Sequence, residues 1–158
     1  MNAQFKILAK AIMLVALFVT SLSSQTCDEN AAAEIDAIKQ NAETMLVYSA
    51  TARVKLVSGE TLTAFYYKGS LIKISVDNSE NDGPYSSAEL FFKDGFIKHI
   101  AEEYSKNGKF FKDYYYFSDD KLVCYTNEKS GDYKNVNEYV QAQEKRLRKV
   151  NIYLEAVQ

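Results

Sequence analysis

The sequence contains no tryptophan, one histidine, one proline and two cysteines, and each shortage closes off a class of chemistry. One histidine among scattered carboxylates gives no metal-ligand spacing, and two distant cysteines cannot build a zinc ribbon or a CxxC redox pair. HExxH, G-x-S-x-G and a phosphate-cradling glycine run are all missing. His99 is the only imidazole for acid–base work, and no local pattern sets a serine beside it. Glu102 and Glu103 are adjacent, so on a strand they point to opposite faces and cannot act as a carboxylate pair. Charge is nearly balanced, 19 Lys+Arg against 21 Asp+Glu. That balance lacks the basic footprint of a nucleic-acid binder. Neither a cofactor nor a resident metal is expected.

Long apolar runs are also missing. Ala11–Val19 is apolar throughout, but nine residues are too few to span a bilayer. Lys6 and Lys10 precede that run, and Thr20, Ser21, Ser23 and Ser24 follow it. A basic start, a short apolar middle and a small polar end describe a secretory signal peptide. Residues 1–25 are therefore expected to be removed, with cleavage after Ser21, Ser23 or Gln25. Residues 26–158 remain as one α+β domain, enough for a single core. The expected location is periplasmic or extracellular, with no transmembrane span in the mature chain.

Cys27 and Cys124 are the only cysteines. In an exported chain they suggest one disulfide closing a loop of nearly the whole domain. The chain-entropy model values such a loop at about 4 to 5 kcal/mol before strain. A lipid anchor on Cys27 is one alternative, although Ser24-Gln25-Thr26 lacks the residues a bacterial lipobox prefers; a free buried thiol is the other.

What the sequence does have is periodicity and aromatics. Thr26 and Glu29 fit a capping box, and Ala31, Ile35, Ile38, Ala42 and Met45 form one apolar stripe, predicting a helix over 26–46. From Tyr48 the period falls to two, with Ala50, Ala52, Val54 and Leu56 on one side. Three-residue loops at Gly59 and Gly69 would pair Leu56 with Leu62, Val54 with Ala64, Tyr66 with Ile72 and Ala64 with Ile74. The segment Asn78–Pro84 is a polar break with a partial likeness to a calcium loop, its oxygen donors continuing to Glu89. Because its flanks read as strands, a solvated turn is expected there. Near the C-terminus Val136, Val140, Leu147, Val150, Leu154 and Val157 return to a helical stripe capped by Asn135 and Glu138. The basic cluster Lys145-Arg146-Leu147-Arg148-Lys149 reads as its wet side.

Between these helices, Ser87–Asn127 holds most of the aromatic residues and three turn signals: Asp94-Gly95, Asn107-Gly108 and Asp119-Asp120. Uninterrupted ladders would set Leu90 and Tyr116 opposite His99, and Tyr116 opposite Val123. One surface would then carry His99, Tyr114, Tyr116 and Tyr125, and the other Phe91, Ile100, Tyr115, Phe117, Leu122 and Cys124. Cys124, bonded to Cys27, would draw the helices onto the second surface. The expected fold is an N-terminal helix, about seven antiparallel strands in a meander, and a C-terminal helix, both helices on one face. His99, Tyr114, Tyr116 and Tyr125 would then form an open binding face.

The signal peptide ending in Ser-Ser-Gln, with Tyr/Phe-rich hairpins turning at D-G and N-G, resembles small exported β-meander proteins of Bacteroidota-like bacteria. The resemblance implies no residue roles. The leading expectation is an exported, non-catalytic binding or interaction module, its partner a protein, a glycan or an apolar molecule. The alternative is a periplasmic carrier or chaperone-like half-barrel holding an apolar ligand between sheet and helices. A third reading is a small hydrolase using His99.

Overall fold

The computed structural model describes residues 29–78, 86–127 and 136–158, excepting the side chains of 136–139. Thr26, Cys27, the leader over 1–25, the break over 79–85 and Asn135 lie outside the described residues. Helix α1 spans Glu29–Met45 and ends in a 3₁₀ turn, Leu46–Tyr48. The strands are β1 (Ala50–Lys55), β2 (Thr61–Tyr67), β3 (Ser70–Asp77), β4 (Ser86–Lys93), β5 (Phe96–Lys106), β6 (Lys109–Ser118) and β7 (Lys121–Asn127). Helix α2 spans Val136–Val157. The strands form one sheet in chain order, every neighbour antiparallel. An α+β fold with a seven-stranded meander between two helices is thus what the chain adopts.

Four two-residue turns hold the meander together. Lys68-Gly69, Asp94-Gly95, Asn107-Gly108 and Asp119-Asp120 all have positive φ at both positions, from 49° to 82°. That conformation matches the twist of the flanking strands and suits Asn, Asp and Gly. The turn at Gly69 has two residues rather than the expected three, so Tyr67 pairs with Ser70 and Tyr66 with Leu71. The β1–β2 connection is longer than expected. Val54 pairs with Leu62, and residues 56–60 close on themselves through Leu56 N–H to the Glu60 carbonyl at 2.8 Å. A two-residue shift leaves every side chain on its original face.

Three of the hairpins share a feature that the turn arithmetic missed. In β2–β3, β4–β5 and β6–β7 the register slips two pairs beyond the turn, with Ile72, Lys98 and Val123 as the extra residues. Each is a β-bulge, one residue without a partner that sharpens the local twist. In β2–β3 the bulge makes up for the shorter turn, and Ala64 pairs with Ile74 as expected. Beyond the other two bulges the partners change face. Leu90 lies across from Ile100 rather than His99, Phe91 from His99, and Tyr116 from Cys124 rather than Val123.

Corrected in this way, the two faces separate cleanly. One carries Leu62, Ala64, Ile74, Leu90, Ile100, Tyr115, Phe117, Leu122 and Tyr125, packed with Ala142, Val150 and Tyr153 of α2. The other carries Phe65, Ile72 and Phe91, packed with Ala42, Met45 and Leu46 at the end of α1. The helices therefore cover opposite faces, and the expectation that both share one face is wrong. The physical reason lies in the strands: both faces are apolar, and each needs its own cover. Tyr153 takes the place expected of Val140, which is 45% exposed.

A polar cleft and a covered aromatic face

Of the four residues expected to form an open site, His99, Tyr114 and Tyr116 come together, but beneath α1 rather than on an open face, and Tyr125 lies apart from them. His99 is 1% exposed, on the face that α1 covers. Its ring meets Phe91, Tyr114 and Tyr116 with centroids 5.9, 6.0 and 4.9 Å away. Burial, reinforced by the nearby Lys39 ammonium, pushes the His99 pKa down to about 3. Its Nδ1 is buried with no hydrogen-bond partner among the described residues, a cost that would be far larger for the charged ring. Burial also raises the Tyr116 phenol, which hydrogen-bonds Asp36 of α1 and Thr126. Tyr125 sits on the opposite face beside Tyr115, centroids 5.0 Å apart. The bulge at Val123 puts it there, because the extra residue turns Tyr125 over.

A different constellation lies beneath α2. Past the apolar rows, that face continues as Ala88, Glu102, Asp113 and Asn127, paired across four strands. Two acids thus stand in register on a face that is otherwise core. Helix α2 answers them with Arg146, whose guanidinium lies 2.5 Å from the Glu102 carboxylate. Arg146 also donates to the Tyr115 hydroxyl at 2.6 Å and stacks over that ring at 4.5 Å. Asp113 accepts hydrogen bonds from Tyr104, Tyr115 and Asn127. At the far side Tyr153 of α2 donates to Glu60 at 3.0 Å, and Lys149 approaches the same carboxylate at 3.9 Å.

These groups floor a cleft of about 380 Å³, with Ser86, Tyr104, Lys145 and Lys149 toward its mouth. The volume falls in the range of small-molecule sites. Burial raises the Glu102 pKa, opposed first by Arg146 and then by Lys149. Burial and the Glu60 charge raise the Tyr153 phenol. Clusters of this kind, with charge held out of water by specific partners, recur at functional sites and in structural ion-pair networks alike.

Lys145, Arg146 and Lys149, expected on the wet side of the helix, line the cleft together with Glu102, Asp113 and Tyr153, which no sequence motif marks. A signal was present. Glu102 and Asp113 continue the apolar face of Ile100 and Tyr115 by strand alternation, and the bulge at Lys98 adds Leu90 to that row. An acid in such a row demands a cation from the covering element. Glu103 points to the other face, as adjacency requires, and pairs with Lys112. Glu89, the last oxygen of the calcium-loop likeness, pairs with buried Lys73 at 2.5 Å; the loop's residues 79–85 lie outside the described residues. Cys124 is 1% exposed on the α1 face and is not a free thiol. None of the helices described is long and apolar enough to cross a membrane.

Fold and cleft together define a helix–sheet–helix α+β domain with a polar cleft between its meander and its C-terminal helix. No protein-family model, curated protein or solved structure matches the chain.

Proposed function

We propose that this protein is an exported, non-catalytic binding module whose ligand site is the polar cleft under α2. The observation that carries this reading is Arg146, fixed at the cleft floor by Glu102 and Tyr115 while Lys145 and Lys149 of the same helix flank the opening. A preformed floor of charge and phenol, open at one side, favours a small polar ligand. Of a protein, a glycan and an apolar molecule, the glycan suits it best. Tyr104 and Tyr153 offer rings with polar tips, Ser86 a hydroxyl, and the charges of both signs match hydroxyl, amino and carboxylate substituents. The basic n-region and short apolar run of residues 1–25 support export. A Cys27–Cys124 disulfide and kinship with the small exported β-meander proteins belong to the same proposal. A hydrolase built on His99 is disfavoured, because the imidazole is shut away from substrate and neutral.

The test is calorimetric titration with mono- and disaccharides, including amino sugars and uronic acids, on the native chain and on Tyr104→Leu. Saturable binding of at least one sugar, weakened about tenfold by the substitution, supports the proposal. Silence across the panel, or unchanged affinity in Tyr104→Leu, overturns it.

A further inference from the structure

The bulged hairpins create a second opening, on the other side of the molecule and independent of the polar cleft. The ladder between β3 and β4 stops at Lys73–Phe91. Beyond that pair the tips of the β2–β3 and β4–β5 hairpins are joined by no ladder bonds, because the extra residues Ile72 and Lys98 turn each tip by its own twist. The last turns of α1 close the resulting notch from one side.

The notch measures about 380 Å³ and is lined by Ile38, Ala42 and Met45 of α1 with Leu71, Ile72 and Phe92 of the two hairpins. Lys68 and Lys93 stand at its mouth, one on each tip, with Asp94 beside them. Neither lysine forms a salt bridge with a described residue; Lys68 Nζ instead lies 5.2 Å from the Tyr67 ring centroid. An apolar slot between two exposed ammonium groups has a definite chemical complement. We propose that the notch holds the hydrocarbon tail of a single-chain anionic amphiphile of the fatty-acid type, with Lys68 and Lys93 holding its headgroup. The tail replaces water against Ile38, Met45 and Leu71, and burial of each methylene favours the complex. The charges select an anionic head over a neutral one and place it at the hairpin tips.

Sodium dodecanoate, titrated below its micelle concentration into the purified native chain, is the direct probe, with dodecanol as its uncharged counterpart. The proposal predicts saturable one-to-one binding of dodecanoate. Lys68 is an exposed turn residue and Lys93 the exposed last residue of β4, so the double substitution Lys68→Glu/Lys93→Glu should leave the fold intact. It should weaken dodecanoate at least tenfold while leaving dodecanol within twofold. Met45→Glu, which sets a carboxylate inside the slot, should abolish both. Absence of saturable dodecanoate binding overturns the proposal, as does equal binding by native and double-substituted protein. Association seen only with anionic vesicles overturns it too, since that would mark a membrane-surface patch. The sugar titrations of the polar cleft read a separate site, so either proposal can fail alone.

Discussion

Phe91 and His99 stand directly opposite each other in the β4–β5 ladder, their rings edge to face at 5.9 Å, because Lys98 is bulged out of register just before them. That one displaced residue carries His99 from an expected open surface to the layer beneath α1. It also turns the histidine from a candidate catalyst into a packed neutral ring. A lone imidazole among Phe91, Tyr114 and Tyr116 contributes to the domain as an aromatic side chain does.

The burial of His99 makes stability depend on pH. Unfolded, it takes up a proton near 6.5; folded, it stays neutral down to about 3. Between those values the unfolded state binds more protons, so stability is full above 6.5 and is lost as pH falls toward 3. His99 should therefore contribute about 3 kcal/mol less at pH 4 than at pH 7. Glu102, whose pKa is raised, acts in the opposite sense, losing its contribution as pH rises above the ordinary carboxylate range. Urea unfolding of the native chain and of His99→Leu at pH 4 and 7 isolates the histidine by difference. A native chain with the same pH dependence as His99→Leu would refute its assignment to the core.

Arg146 and Glu102 should behave as a buried pair. Replacing Arg146 with Met leaves the Glu102 carboxylate half-enclosed without its cation, at an expected cost of about 3 to 5 kcal/mol. Removing both charges in Arg146→Met/Glu102→Gln should restore most of that loss, since the second change removes the stranded charge. A double-mutant cycle from urea titrations measures the coupling. Additive losses would mean that the pair is screened by solvent and does not close the cleft floor.

Cys124 tests where the N-terminus is fastened. It lies on the face that α1 covers, and a bond to Cys27 would tie the start of that helix to β7. Peptide mapping without reductant should recover one cross-linked fragment containing both residues. Cys27→Ala/Cys124→Ala should lower stability by about 2 to 4 kcal/mol, chiefly by releasing the unfolded chain. Two free thiols in exported protein, or a lipid on Cys27, would contradict the pairing.

Much of this architecture was legible in residue order. Asp94-Gly95 and Asn107-Gly108 carry their turn geometry in their own side chains, and the switch from a period near 3.6 to a period of two separates α1 from β1. The bulges were not legible by turn counting, because Ile72, Lys98 and Val123 share no residue type that marks a bulge. Their trace is in spacing. Leu71 and Ile74, Ile97 and Ile100, and Leu122 and Tyr125 share the α2 face three residues apart. In a regular strand residues three apart lie on opposite faces, so an apolar pair at that spacing after each turn marks an inserted residue. The same trace recurs in three hairpins, at matching distances from their turns. The cleft was hidden for another reason: Glu102 and Asp113 alternate with Ile100 and Tyr115 on the expected apolar face, but nothing in residue order shows that Arg146 of α2 lies over them.

The account rests on that corrected register putting the binding groups beneath α2 and His99 beneath α1. Amide chemical-shift mapping with the saccharide panel on isotopically labelled protein tests it most directly. The account predicts changes concentrated at Glu102, Tyr104, Asp113, Arg146 and Tyr153, with His99, Tyr114 and Tyr116 undisturbed. Changes centred on Tyr114 and Tyr116, or none with any sugar, would contradict it.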